Sequence, residues 1–197
     1  MLPLRSEIKT TIIMEKKALK MSQDSLYIFL IEHGVKISRI ADEIGMTPSA
    51  VVSCFIHRPS RHGKPRNFTA DKIAKLNEAL RAYSNVLRSC ILKFGTNQKY
   101  TNQHGRTYDP GMIEPLNQLG EYLNMTAVAE RVLGWSKSKK LNVFSNPSSK
   151  NYGNISEEDI NKINIEILTI VGAFDNVEIV PDNDAYEGRN STSSSAD

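Results

Sequence analysis

The chain reads as one helical unit written twice. Ile40-Ala41-Asp42-Glu43-Ile44 aligns with Val128-Ala129-Glu130-Arg131-Val132, and the register then carries Gly45 onto Gly134, Thr47 onto Ser136, Ser49 onto Ser138 and Phe55 onto Phe144. Further along, Phe68-Thr69 meets Ile155-Ser156, while Ile73, Leu76 and Leu80 meet Ile160, Ile163 and Ile167. The offset is about 88 residues, with small gaps. Unrelated helices share apolar positions by chance. They share glycine, capping and aromatic positions at the same time far less easily.

Each copy has the periodicity of an all-helical unit. In the first copy, about 23–94, Asp24 or Ser25 is expected to cap a helix running through His33, with Leu26, Phe29 and Leu30 inward. A second helix over about 36–44 should stop at Gly45. Thr47 caps a third, and Pro48 takes its first position, where the missing N–H costs nothing. Thr69 caps a fourth, expected to run to Phe94, with Asp71 suiting its N-terminal dipole. In the second copy, about 113–174, Ser156 caps the matching long helix, with Glu157, Glu158 and Asp159 in its first turn. The expected fold class is therefore all-α: two tandem helix-turn-helix units, each followed by a long amphipathic helix, then a disordered C-terminal tail.

The corresponding organisation is a first unit with an N-terminal extension over 1–95, a connection over 96–112, a second, divergent unit over 113–180, and an acidic tail over 181–197. Within the extension, Ile8, Ile12 and Leu19 stand near helical spacing, as in an additional helix. The polar connection is either a plain linker or a small hairpin from Tyr100 to Tyr108 around His104-Gly105. The tail lacks apolar periodicity and ends in serines, a composition that cannot bury enough surface to order itself.

The formal net charge of +3 conceals a gradient. Residues 1–95 hold 16 Lys/Arg against 8 Asp/Glu, 96–174 hold 8 against 8, and 175–197 hold 1 against 6. Polyanion-binding potential thus lies in the N-terminal half. The two cysteines, Cys54 and Cys90, sit inside apolar patterns and read as small buried hydrophobes of a reducing compartment. No apolar run approaches the ~20 residues of a membrane span. Lys9, Glu15, Lys16 and Lys17 interrupt any signal-type apolar stretch. The expected location is cytoplasmic, with no membrane partner.

The segment from Ile37 to Ile56 carries the functional reading. For two short helices to cross steeply, Ala41 must be small where the second passes over the first. Gly45 must end the first helix in a turn that calls for positive φ. Ile40, Ile44 and Met46 fill the space beneath, and Val51 and Cys54 face inward. Thr47, Ser49, Ala50 and Ser53 are left outward, small and polar, as a helix entering a major groove requires. This stretch resembles the helix-turn-helix DNA-binding superfamily, including its lac-repressor-like and phage-repressor-like groups. The match covers some twenty residues, with Ala41, Gly45, Val51 and Cys54 at the small, turn and interior positions. The resemblance implies that Thr47 to Ser53 form a recognition helix.

Directly after it comes His57-Arg58-Pro59-Ser60-Arg61-His62-Gly63-Lys64-Pro65-Arg66-Asn67, with four cations and no acid. Such a loop suits a phosphate backbone, where cations displace condensed counterions. Expected base-edge contacts are Ser49, Ala50 and Ser53. Expected phosphate contacts are Thr47, Arg58, Arg61, Lys64 and Arg66, with Pro48 on the same exposed face. The second copy departs from the pattern. It carries an extra residue, Leu133, near the turn, and Lys140 stands where Val51 points inward, unless Leu141 substitutes. Its Lys137, Lys139 and Lys140 make it either a second DNA-contacting unit or a degenerate copy kept for packing.

Ile73, Leu76, Leu80, Tyr83, Leu87, Cys90 and Phe94 are spaced alternately by three and four, and Ile160, Ile163, Ile167, Ile170 and Phe174 continue the theme. Such seams either join two chains as a homodimer or pack together within one. The residues suggest no enzyme: there is no phosphate-binding glycine loop and no nucleophile motif. No catalytic residues, metal or cofactor are expected. The combination Cys54, His57 and His62 lacks a fourth ligand at convincing spacing for zinc. The expected function is sequence-specific binding of double-stranded DNA as a transcriptional regulator, phage or bacterial. Its rivals are a phage-type packaging or structural adaptor that oligomerises, and a protein–protein module that keeps the fold without using it on DNA.

Overall fold

The computed structural model describes residues 19–93, 100–101, 107–108, 110–146, 148–149 and 151–180. The further helix expected from Leu4 to Lys20 lies mostly outside the described residues, but its last two residues, Leu19 and Lys20, are in a strand and not a helix, and the acidic tail from Asp182 onward lies outside as well.

The first unit follows β1 (Leu19–Met21). It comprises α1 (Gln23–Glu32), α2 (Ile37–Glu43), α3 (Pro48–Phe55) and α4 (Ala70–Ser89). Strands β2 (Tyr100–Thr101) and β3 (Thr107–Tyr108) then pair antiparallel, Tyr100 opposite Tyr108, so the connection is the hairpin of the two alternatives. The second unit comprises α5 (Pro110–Tyr122), α6 (Met125–Leu133), α7 (Lys137–Lys140), a wider π-type turn over Leu141–Ser145, and α8 (Glu157–Asn176). Strand β4 (Val177–Ile179) closes the fold by pairing in parallel with β1.

The duplication is visible in the backbone. Gly45 and Gly134 end α2 and α6 with φ of +64° and +62°, a conformation that costs a Cβ-bearing residue about 1–2 kcal/mol. The amide of Met46 returns to the Ala41 carbonyl (2.9 Å), as that of Trp135 returns to Ala129 (3.1 Å). The extra residue of the second copy is absorbed by a longer α6, which keeps Leu133 in the helix. Thr47 and Ser136 cap α3 and α7, accepting from Ala50 N and Lys139 N at 3.3 Å each. Thr69 and Ser156 cap α4 and α8, each 20 residues long, behind buried Phe68 and Ile155.

The two units share one hydrophobic core, and several bonds between them come in exchanged pairs. Val35 and Leu123, the residues that follow α1 and α5, form an antiparallel bridge. Lys36 N donates to Tyr122 O (2.8 Å) and Asn124 N donates to Gly34 O (2.7 Å), two bonds that exchange when the copies are swapped. The seams of α4 and α8 face each other in the most extensive helix–helix contact, with Ile73, Leu76, Leu80, Tyr83 and Leu87 buried on one side and Ile160, Ile163, Ile167, Ile170 and Phe174 on the other. The apolar spacing is therefore used within the chain.

At the far end of each seam an asparagine repeats the exchange. Asn77 of α4 grips the backbone of Ile179, donating to its carbonyl (3.0 Å) and accepting from its amide (2.7 Å). Asn164 of α8 does the same to Leu92, at 2.8 Å in both directions. Each long helix thus holds the chain that leaves the other. This is why α4 ends at Ser89, short of the expected Phe94: beyond Cys90 the backbone spends its polar groups on Asn164 instead of on another helical turn. The start of α1 also differs from expectation. Ser22 is its cap, accepting from Ser25 N at 3.2 Å, which makes Asp24 and Ser25 first-turn residues.

Glu166 of α8 is the most buried carboxylate among the described residues, and it ties the units together. It receives the Nδ1 proton of His33 at the end of α1 (2.6 Å) and the guanidinium of Arg131 on α6. Burial and the Arg131 charge hold the His33 ring below the usual imidazole range. Phe29 stacks on that ring with centroids 4.1 Å apart.

Replacing Asn77 or Asn164 with Ala strands a buried amide and carbonyl in the opposite unit. Each change is expected to cost about 1–3 kcal/mol in urea denaturation. Two losses of similar size are expected; a loss at one position and none at the other would contradict the reciprocal clamp.

Candidate nucleic-acid interface

The exposed face of α3 is set by its cap. Thr47 stays outside the helix to accept from Ala50, and Pro48 starts it, so Thr47, Pro48 and Ser49 all stand in solvent. Ala50 and Val52 are half-buried, while Val51, Cys54 and Phe55 point into the core. Tyr27 of α1 stacks on Phe55 (centroids 5.4 Å apart), and Phe68 meets the same ring edge-on. Burial pushes the Cys54 thiol up from its usual range, which suits an interior hydrophobe.

Ser53 is not outward. It is only 5% exposed, and its hydroxyl donates to Ser49 O at 2.7 Å. Helical spacing alone placed it on the polar face. The chain that leaves α3, however, turns back on the helix's last turn, with Arg58 N bonded to Ser53 O at 2.9 Å. The reversal happens at His57, which adopts φ +48°. Its Nδ1 lies 2.7 Å from Asn67 Oδ1 and its Nε2 lies 3.6 Å from Asp24 of α1. Ser53 therefore belongs to the packing of α3 and is withdrawn as a base-edge contact.

The basic segment is a small hairpin, not an open loop. Pro59 bridges Pro65, Ser60 N donates to Lys64 O (2.7 Å), Arg66 N donates to Arg58 O (3.2 Å), and Gly63 turns the tip with φ +75°. Arg58, Arg61, Lys64 and Arg66 are all exposed. Among the described residues none of the four is paired with a carboxylate. The hairpin is tied to the last turn of α3 through Arg58 N, and His57 at the same end reaches both Asp24 of α1 and Asn67 at the far end of the hairpin.

In the second unit the same site is built with other side chains. Ser138 matches Ser49 and is exposed, as are Lys137 and Lys139. The Lys139 ammonium lies over the ring of buried Trp135, 3.9 Å from its centroid, and Trp135 in turn stacks on Phe144. Lys140 is corrected. It is 7% exposed and fills the Val51 position itself, with its stem packed inward and its ammonium on Glu130 Oε2 at 2.5 Å. Leu141 does not substitute for it but stands exposed. That bond holds the Glu130 carboxyl below the usual carboxylate range. Lys140 is thus a packing residue and is withdrawn as a phosphate contact. Among the described residues between Asn146 and Asn154 none is charged, Lys150 being outside them.

No helix among the described residues is long and apolar enough to cross a membrane. Comparison of the chain with protein-family models, with curated proteins and with solved structures gave no match.

The Lys140–Glu130 assignment separates two substitutions. Glu130→Ala leaves a buried ammonium without its partner and should lower the midpoint of thermal unfolding. Lys140→Met removes the charge, keeps the volume and should hold or raise it. A fall with Lys140→Met as large as that with Glu130→Ala would remove Lys140 from the core.

Proposed function

We propose that this chain is a non-catalytic, sequence-specific binder of double-stranded DNA that regulates transcription, with its first unit as the reading head. The observation that carries the proposal is the exposed start of α3 together with the basic hairpin that follows the helix. Four cations, none paired with a carboxylate among the described residues, are held on a short hairpin tied to the last turn of α3, and the start of that same helix presents Thr47, Pro48 and Ser49 to solvent. Phosphate contacts set register and small polar side chains reach base edges, a division of labour that suits these two parts. Ser49 is the leading base contact, with Ala50 at its shoulder. Thr47, Arg58, Arg61, Lys64 and Arg66 hold the backbone. The positive balance of residues 1–95 favours the same partner.

A salt titration of duplex affinity tests the reading. Each phosphate contact contributes about 0.9 to the log–log slope. The variant with Arg58, Arg61, Lys64 and Arg66 all changed to Ala should therefore bind every duplex more weakly, with a slope shallower by up to about 3.6. An unaltered slope would sink the assignment. Ser49→Ala should change base preference at a cost of about 1–3 kcal/mol at one position. Identical preferences before and after would remove Ser49 from the readout.

A further inference from the structure

The duplication supplies a comparison inside the chain. Phe55 and Phe144 stand at matching positions, yet their surroundings differ. Phe55 is fully buried, with Tyr27 of α1 stacked on it and Phe68 against it edge-on. Phe144 is stacked on Trp135, with centroids 5.5 Å apart, and is only half-buried. It borders a solvent-connected cavity of about 490 Å³. To this cavity α5 contributes Leu116, Asn117 and Gly120, and no aromatic ring. The space that unit one closes with aromatic rings is thus left open in unit two. Its volume falls within the range of about 300–1,000 Å³ typical of small-molecule sites.

The lining grades from buried apolar to exposed polar. Leu116, Met125 and Val143 are buried, whereas Asn117 and Glu121 are exposed. Thr126 and Tyr152, half-buried, add two hydroxyls. The lining is tied across itself, since Gly153 N donates to Val143 O at 3.0 Å. Glu121 alone among the lining residues is charged, and Arg39 of α2 already pairs with its carboxylate and donates to its carbonyl at 3.2 Å. An anion in the cavity would meet that carboxylate and no lining cation. A cation would compete with Arg39. Either charge would also give up hydration without a free partner.

We propose that unit two holds a small-molecule site whose ligand is an uncharged organic molecule, with a ring-shaped apolar body and hydrogen-bonding groups at one end. The body packs on Leu116, Met125, Val143 and Phe144, and the polar end meets Asn117, Thr126 and Tyr152. Every lining residue belongs to unit two, so the inference does not depend on DNA binding by unit one. A molecule seated there also lies against Glu121, through which α5 holds α2 of the first unit.

The test follows the methyl resonances of Leu116, Met125 and Val143 in the full chain during titration with three probes of one skeleton. Naphthylethanol is neutral, naphthylethylamine cationic and naphthylacetate anionic. Naphthylethanol should shift all three residues saturably and bind about tenfold more tightly than either charged probe. Asn117→Trp should fill the cavity and weaken naphthylethanol by about tenfold or more, whereas Gln118→Trp, the next residue along α5 and outside the lining, should leave binding unchanged. Both positions are exposed, and far-UV circular dichroism checks that each variant folds. No shift at these methyls with any probe overturns the site. Shifts that survive Asn117→Trp undiminished overturn it as well. Tightest binding by the amine or the carboxylate overturns the ligand class.

Discussion

The structure depends on the exchange of backbone partners between its two halves. Gly34 and Lys36 bond to Asn124 and Tyr122, Asn77 holds Ile179 and Asn164 holds Leu92. Buried amides and carbonyls must find partners, and here those partners lie in the other copy. Tyr83 sits where the exchange is tightest. Its hydroxyl donates to the Tyr122 carbonyl and accepts from Lys36 N, its ring meets those of Tyr122 and Phe174 edge-on, and burial raises its phenol well above the usual range. Once these bonds are made, the seams of α4 and α8 have one register left. The relative position of the two units then follows.

Equality of backbone has not kept the two units equal in side chains. A lysine in the interior position of the second unit is tolerated because Glu130 meets it at the surface. The first unit keeps Val51 there and adds a cationic hairpin instead. Polar links between the units are likewise one-sided: Arg39 of α2 reaches Glu121 at the end of α5, and Arg131 and His33 converge on Glu166. The symmetric part of the molecule is backbone and apolar seam. The asymmetric part is the charged surface, where binding properties reside.

Much of this was legible in the residues. The repeat, the caps at Thr47, Thr69, Ser136 and Ser156, the turn glycines and the two seams follow from local chemistry, and the structure has them where the pattern put them. What escaped was decided by contacts between residues far apart in the chain. Ser53 has the spacing of an outward residue, but its exposure depends on a reversal at His57 that no periodicity announces. Lys140 has the charge of a surface residue, but its burial depends on an acid ten positions earlier. The end of α4 depends on an asparagine in the other unit. At the start of α1 three residues of capping type, Ser22, Asp24 and Ser25, lie within four positions, and local chemistry does not choose among them.

The parallel pairing of β1 with β4 joins Leu19 to Val177. On a ribosome, where chains emerge at roughly 5–20 residues per second, the first strand waits on the order of ten to thirty seconds for its mate. From the completion of α4 until α8 and β4 follow, α4 lacks its partner seam and Asn77 has nothing to grip. Such a chain passes its most aggregation-prone moments half made, and its yield in a cell should depend on whatever shelters the nascent first half.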